Sequence, residues 1–278
     1  MKKLSIPLKD IDERTIYCEC ADDFRDKTAL GYLDEAVSCS KSYERYVPRD
    51  IGNFPKCSIK EGDDRKIIKV FTDKFSKRGS IGRKYYDAIM MNASGRCPIC
   101  GCGKLKNLDH FLPKSLYPLL CVTPVNLVPV CRDCNFEKND YFDTDYYSIP
   151  FNPYFDAMID AWLECVINFF DDNSYEIYYK NGYDRTKNEN IWRKYEIHLR
   201  VFDLNATFCA RASEEIDNCK YYYMQLLSAC GKESVKNALQ EKRISCEKND
   251  LNSWNAALYR KLEKNAYDYC EWLEKDCT

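Results

Sequence analysis

The sequence predicts an α+β protein that is mainly α-helical and carries a small module rich in cysteine and proline in its middle. All ten prolines lie at or before Pro153, and residues 154–278 contain only two glycines. Residues 95–153 hold seven of the ten prolines and six of the seventeen cysteines. Because proline and glycine interrupt helices, we expect the last part of the chain to be helical and the middle block to fold differently.

The overall composition is that of a globular protein of roughly two domains. Apolar residues make up 45% of the 278 residues, which excludes a disordered chain. The 42 basic residues nearly balance the 44 acidic ones, and the net charge of −2 excludes a uniformly basic nucleic-acid-binding protein. Neither a signal peptide nor a membrane-spanning stretch is recognisable. We therefore predict a cytoplasmic protein without membrane contact, in which most cysteines are free thiols.

The N-terminal region is predicted to mix helices and loops. A helix is expected at about 24–37, and a loop at 46–64, where proline, glycine and charged residues are frequent. A further helix is expected at about 81–91, because Ile81 and Ile89 share one helical face. This helix leads directly into the cysteine-rich block.

The C-terminal region is predicted to be helical, with one possible strand at 175–179 before an Asn-Gly turn. Apolar residues recur at three- and four-residue steps through 191–202 and 254–273. His198 shares a helical face with Tyr195 and Phe202, so we interpret it as a core residue. The predicted division of the chain is 1–80, a mixed helical and loop region; 81–155, the central module; and 156–278, a helical region that could dock a partner.

Two C-x-x-C pairs, Cys97–Cys100 and Cys131–Cys134, flank the centre of the module. A spacing of two residues lets a tight turn direct both sulfur atoms at one ion, and two such turns complete a tetrahedral zinc site. Glycines directly after the first pair supply the left-handed backbone conformations that such turns often need. We therefore predict one structural Zn²⁺ held by these four cysteines.

Other interpretations of the cysteine pairs remain open. Four unrelated buried thiols could produce the pattern by chance in a cysteine-rich chain. A thioredoxin-like redox pair is disfavoured because no βαβ pattern surrounds either pair. Cys102 and Cys121 lie nearby at poorer spacing, and we assign them to packing.

The segment between the pairs contains an Asp109-His110 doublet, in which an oxygen ligand stands beside a base that titrates near neutral pH. Residues 126–130 are apolar and resemble a strand, and 134–138 resemble the first turn of a helix. A hairpin packed on a helix could bring Asp109, His110 and Asn135 together.

These residues resemble the HNH endonuclease family, whose fold is the ββα-metal motif. The resemblance covers Cys97 to Lys138 and rests on the two C-x-x-C pairs, the Asp-His doublet, an x-x-Pro-x-Ser stretch, an Asn-Leu pair and an Asn directly after the second cysteine pair. Outside this segment, only the stretch from Asn152 to Asp156 is similar to one that follows the motif in some members.

The resemblance implies a role for each matched residue. Asp109 would bind a catalytic divalent ion, usually Mg²⁺, and His110 would be the general base that deprotonates the attacking water. Asn126 would order the loop that holds the base. Asn135 would be the second ligand of the ion, and Lys138 could contact phosphate. Asp and Asn replace the first and last letters of the family name here, a change that favours Mg²⁺ over softer ions.

The resemblance also implies DNA as substrate. The balanced overall charge predicts weak DNA binding by the chain alone. Basic residues near the motif form only a small local patch, which consists of Lys104, Lys106, Lys114, Arg132 and Lys138. The layout is similar to HNH nucleases that accompany AAA-type ATPases in bacterial antiphage systems, the Septu type and its retron-linked relatives. An ATPase partner is therefore expected, and a small-molecule substrate is not.

Two alternative functions remain open. The chain could be a zinc-stapled module that binds nucleic acid or protein without cleaving it, although a binding module requires neither Asp109 nor Asn135. It could also be a helical interaction protein whose cysteine pairs are accidental. Zinc content, together with the effect of replacing His110, distinguishes the three.

Overall fold

The computed structural model describes residues 2–55, 58–158 and 160–275. Helices predominate and are accompanied by two small antiparallel sheets, so the predicted mainly helical α+β class is confirmed. Contacts divide the chain into two compact units, Lys2–Ala157 and the residues from Met158 onward. The predicted three-part division stays a prediction. None of the helices among the described residues is long and apolar enough to cross a membrane.

The first unit contains five α-helices and one two-stranded sheet among its described residues. In chain order these are α1 (Glu13–Asp22), α2 (Leu33–Tyr46), α3 (Asp63–Lys69), α4 (Arg83–Met91), β1 (Asn107–His110), β2 (Leu127–Val130) and α5 (Arg132–Lys138). A π-helical turn, Val70–Phe75, continues α3. The predicted helix at 81–91 and strand at 126–130 are thus confirmed within a residue or two.

The helix predicted at 24–37 is wrong in its first half. The chain instead forms α1, which begins after the N-cap Asp12, and then turns before α2 begins at Leu33. The Asp26 carboxylate accepts hydrogen bonds from the backbone and hydroxyl of Thr28. Such a local side-chain bond stabilises a turn in competition with a helix. The loop predicted at 46–64 contains a short 3₁₀ turn, and its residues 56 and 57 lie outside the described residues.

The second unit consists of a hairpin and helices. Its elements are β3 (Leu163–Phe169), β4 (Tyr175–Asn181), α6 (Glu189–Val201), α7 (Leu204–Asn249), α8 (Trp254–Lys264) and α9 (Ala266–Lys275). The strand predicted at 175–179 is confirmed, but its partner β3 was missed. In β3 the residues alternate between buried and more exposed positions, as is typical of a strand. We missed this pattern because the lack of proline and glycine predicted a continuous helix there. His198 is fully buried on α6, as predicted for a core residue.

Candidate functional site

The four cysteines of the two C-x-x-C pairs come together at one point. All four are buried, and their Sγ atoms lie within 4.8 Å of one another. The Sγ atoms of Cys100 and Cys131 are 3.8 Å apart. Zinc–sulfur bonds of about 2.3 Å in a tetrahedron place neighbouring sulfur atoms about 3.8 Å apart. Four buried thiols at these distances could hold a metal ion such as zinc.

Glycine residues make this arrangement possible. Gly101 has a φ of 74° and its N–H donates to the carbonyl of Cys97, which closes the first turn. Gly103 packs directly on the second pair: a Cβ atom there would lie 2.5 Å from the Cβ of Cys131. Only glycine fits at this position without displacing the cluster.

Backbone N–H groups point at two of the sulfur atoms. Gly103 N–H donates to Cys100 Sγ at 3.3 Å, and Cys134 N–H donates to Cys131 Sγ at 3.4 Å. Cys131 is also the N-cap of α5, so the partial positive charge at the start of this helix faces its sulfur. These donors favour the thiolate forms that bind a metal ion.

The remaining cysteines lie outside the cluster among the described residues. Cys102 is half-buried and hydrogen-bonded to Cys100, and Cys121 is buried and donates to the carbonyl of Ile67. Fourteen of the described cysteines form no disulfide, which agrees with the prediction of mostly free thiols. Cys39 departs from it, because it is disulfide-bonded.

His110 lies at the end of β1, opposite Leu127 of β2. Its Nε2 atom is 2.9 Å from the carbonyl oxygen of Cys121. Because a carbonyl only accepts hydrogen bonds, the proton of the neutral ring is on Nε2, and Nδ1 keeps its lone pair. The ring of Phe71 packs edge-on against the imidazole, with 4.4 Å between ring centroids.

Burial controls the protonation of His110. The side chain is 4% exposed, and this desolvation lowers its pKa to about 3, with smaller contributions from Lys114 and Lys138. The imidazole is therefore neutral at pH 7, and the same burial makes it a weaker base than an exposed histidine.

Asp109 precedes His110 on β1 and forms an ion pair with Lys138 of α5. The Lys138 Nζ atom lies 3.0 Å from Asp109 Oδ2 and donates to the carbonyl of His110 at 2.8 Å. Burial raises the pKa of Asp109, and the ammonium group opposes this shift. Lys138 is only 3% exposed. The resemblance implied a phosphate contact for Lys138, but the structure places its ammonium inside the module, where it connects β1 and α5.

Asn126 fixes the loop that joins β1 to β2. Its Oδ1 accepts from the N–H of Leu112 at 2.8 Å, and its Nδ2 donates to the carbonyls of Leu112 at 3.1 Å and Leu120 at 3.4 Å. The side chain is fully buried. The Asn126 side chain therefore supplies hydrogen bonds that backbone groups of this irregular loop would otherwise lack. The same loop carries the Cys121 carbonyl that is bonded to His110.

The other predicted site residues differ in how far they are buried. Asn135 is half-buried on α5, three residues before Lys138, a spacing that puts both on one helix face. Lys114 is half-exposed and close enough to act on the charges of both Asp109 and His110. Arg132 is exposed at the start of α5. The direct contacts thus join Asp109, His110 and Lys138.

The stretch from Asn152 to Asp156 is hydrogen-bonded to β2 of the module. Its two ends are bonded, since Asp156 Oδ2 accepts from Asn152 N–H at 2.8 Å. Between them, the Tyr154 hydroxyl donates to the carbonyl of Leu127 at 2.7 Å. The sequence resemblance had already singled out this stretch, because some members of the HNH family carry a similar one after the motif. No feature of the sequence predicted that the Phe71 ring contacts His110.

Comparisons with known proteins give two partial similarities. The chain is 41% identical over 125 residues to protein ea31 of Escherichia phage lambda, a match that covers 42% of this chain and 40% of that protein. It is 33% identical over 78 residues to the Septu protein PtuB of Bacillus thuringiensis, covering 25% of this chain and 30% of that protein. The chain thus spans two fifths or less of the relatives it matches. No family model matches, and no solved structure matches. The similarity to PtuB and the four-cysteine cluster fit a zinc-stapled module.

Proposed function

We propose that this chain is a metal-dependent endonuclease that hydrolyses phosphodiester bonds of DNA and acts in antiphage defence. The observation that carries the proposal is the state of His110: a neutral imidazole, oriented through Nε2 by the Cys121 carbonyl, with a lone pair on Nδ1, on the strand that also carries Asp109. General-base catalysis by a positioned side chain contributes typically about 10²–10⁴-fold to the rate of hydrolysis.

In the proposed reaction, His110 Nδ1 takes a proton from the water that attacks the scissile phosphorus. The Cys121 carbonyl holds the ring and stabilises the imidazolium that forms, because it continues to accept from Nε2. Asp109 and Asn135 would hold a divalent ion, which would supply charge neutralisation for the phosphate and for the oxygen released when the P–O bond breaks. The carboxylate and amide oxygens of these side chains suit Mg²⁺. Lys138 holds Asp109 in place and balances its charge.

Zinc in the four-cysteine cluster has a structural role in this proposal, since four thiolates leave it no open coordination position. The cluster joins the segment before β1 to the N-terminus of α5. It therefore fixes the helix that carries Asn135 and Lys138 relative to the strand that carries Asp109 and His110.

The defence role rests on the partial similarity to a Septu protein. An AAA-type ATPase is the partner that the sequence resemblance implies. Affinity purification from the native cells tests it: recovery of an ATPase subunit in fixed stoichiometry supports the partner, and a single chain that is fully active alone contradicts it.

Nicking of supercoiled plasmid in the presence of Mg²⁺ tests the nuclease. We expect wild-type protein to nick. His110→Ala and Asp109→Asn should each lose at least about a hundredfold in rate, because the first removes the general base and the second removes a ligand of the ion. Glu137→Gln changes an exposed carboxylate on α5 and serves as the control. Wild-type protein with full zinc content that is inactive with every divalent ion tried, alone and with its partner, would overturn the proposal.

One observation favours the non-cleaving binding module as a second candidate. Asp109 already has a cation partner in Lys138, so the carboxylate is neutralised without a metal ion. That candidate predicts that Cys131→Ala abolishes function in cells whereas His110→Ala does not.

A further inference from the structure

The charge of the chain is unevenly distributed along the sequence. Residues 65–106 contain eleven basic and two acidic residues, a net charge of +9, whereas the whole chain carries −2. This segment comprises most of α3, the π-helical turn, α4 and the first cysteine pair. The balanced total therefore conceals a strongly basic segment directly before β1.

Some of these cations are already neutralised by carboxylates. Lys66, Lys74, Arg83 and Lys84 each form an ion pair with an acidic residue. Seven others are exposed and form no ion pair with any described residue: Arg65, Lys69, Lys77, Arg78, Arg96, Lys104 and Lys106. We call these seven residues the basic surface.

One end of the basic surface belongs to elements that pack on His110. The π-helical turn that follows Lys69 carries Phe71, whose ring contacts the His110 ring at 4.4 Å. In α3, the carbonyl of Ile67 accepts from Cys121 Sγ at 3.5 Å. Cys121 is the residue whose carbonyl orients His110. Lys69 therefore lies between Ile67 and Phe71, the two residues of this segment that contact Cys121 and His110.

The other end leads into the strand of the site. Arg96 and Lys104 pair across an antiparallel bridge beside the first cysteine turn. Lys106 directly precedes β1, and its N–H donates to the carbonyl of Val130 at 2.9 Å. Between the two ends, the Tyr86 hydroxyl of α4 accepts from the N–H of Leu108. The segment is thus attached to β1 through the π-helical turn, α4 and its C-terminal end.

We infer that the basic surface binds the phosphate backbone of a nucleic acid and delivers it to Asp109 and His110. Exposed cations without carboxylate partners attract polyanions, and this attraction acts over about 8–10 Å at physiological salt. The inference deepens the proposed function and rests on it. It extends the local basic patch predicted from the sequence, which already included Lys104 and Lys106, towards Lys69. A nucleic acid is favoured over an acidic protein because the charged segment packs on the site proposed to cut phosphodiesters.

The test measures binding of the full-length protein to a short fluorescent DNA duplex by anisotropy, over a series of salt concentrations. All proteins carry His110→Ala so that the duplex stays intact. The test variant combines Lys69→Gln, Lys77→Gln and Arg78→Gln. The control combines Lys187→Gln, Arg200→Gln and Lys248→Gln, three exposed cations of the second unit that also form no ion pair with described residues.

We expect the test variant to bind at least about tenfold more weakly at 100 mM salt, and the slope of log affinity against log salt to fall by about 2–3, because roughly 0.9 counterions are released per phosphate contact. The control should change affinity less than about twofold.

Equal binding by both variants would overturn the inference and leave the nuclease proposal standing. Loss of binding in the test variant alone, with a wild-type protein that never cleaves, would support the surface and reject the nuclease. Absence of DNA binding at low salt would also overturn the inference.

Discussion

The ammonium group of Lys138 lies 3.0 Å from the carboxylate of Asp109, at a position where the lysine is only 3% exposed. The same nitrogen donates to the backbone carbonyl of His110. The buried Lys138 thus connects α5 to β1, the strand that carries both Asp109 and His110. It also gives Asp109 a cation partner.

Replacing Lys138 with Met should destabilise the protein by about 3–5 kcal/mol, because the Asp109 carboxylate would stay buried without a partner. If Asp109 binds a divalent ion, millimolar Mg²⁺ should restore part of this loss. Chemical unfolding with and without Mg²⁺ measures both effects. Lys114→Met is the control, since Lys114 is half-exposed and forms no ion pair with a described residue. A Lys138→Met protein as stable as the control would contradict the buried pair.

The pH dependence of stability should report the buried His110. Burial lowers its pKa to about 3 in the folded protein, whereas an unfolded histidine titrates near 6.5. Below that pH the unfolded chain binds a proton that the folded chain does not. The stabilisation by neutral His110 is therefore complete above about pH 6.5 and declines as the pH falls towards 3, by about 2 kcal/mol between pH 7 and pH 5. His110→Gln should lack this component in unfolding experiments, and parallel curves for the two proteins would show that His110 is not buried as described.

Zinc should be bound at one ion per chain, and Cys131→Ser should abolish this binding. The variant removes one of four buried ligands, so it should lose far more than the roughly 1 kcal/mol of an average substitution. Elemental analysis and thermal unfolding measure the two effects. Cys230→Ser is a matched control, because Cys230 is exposed and outside the cluster. Purified wild-type protein without metal would reject the zinc site.

Gly103→Ala should weaken the metal site without removing a ligand. The new Cβ atom would lie 2.5 Å from Cys131 Cβ and 2.6 Å from its Sγ, so the second cysteine pair must shift. We expect at least about a tenfold loss of zinc affinity, which corresponds to about 1.4 kcal/mol, in competition with a chelator. Gly31→Ala introduces a methyl group with nothing within 4 Å and should leave the affinity unchanged.

Removal of the Asn126 side chain should loosen the loop between β1 and β2. In Asn126→Ala, the N–H and carbonyl of Leu112 lose their partners in a buried position, at a cost of about 1–3 kcal/mol for each unsatisfied group. Hydrogen exchange should accelerate in this loop, and the plasmid nicking rate should fall because the loop positions the Cys121 carbonyl. Asn190→Ala, at an exposed position of α6, should change neither quantity.

The sequence by itself was sufficient where short-range chemistry decides the structure. A two-residue gap between cysteines restricts the chain to a turn, and the structure brings all four sulfur atoms together as that spacing predicted. The strand at 126–130 and the helix after it were recognisable from composition and spacing, and so was the buried face of α6 around His198. Strand β3 was not predicted, because no proline or glycine marks its ends and the surrounding segment favours helix.

Only the tertiary structure decided how distant residues meet. Whether Lys138 faces solvent or Asp109 depends on the packing of α5 on β1, and the sequence resemblance alone suggested that this lysine could contact phosphate. The orientation of His110 is set by the Cys121 carbonyl and the Phe71 ring, eleven and thirty-nine residues away. The basic segment was visible in the sequence, but the exposure of its unpaired cations and their attachment to β1 were not. Side-chain type and spacing specify local turns, whereas burial and ion pairing depend on elements far apart in the chain.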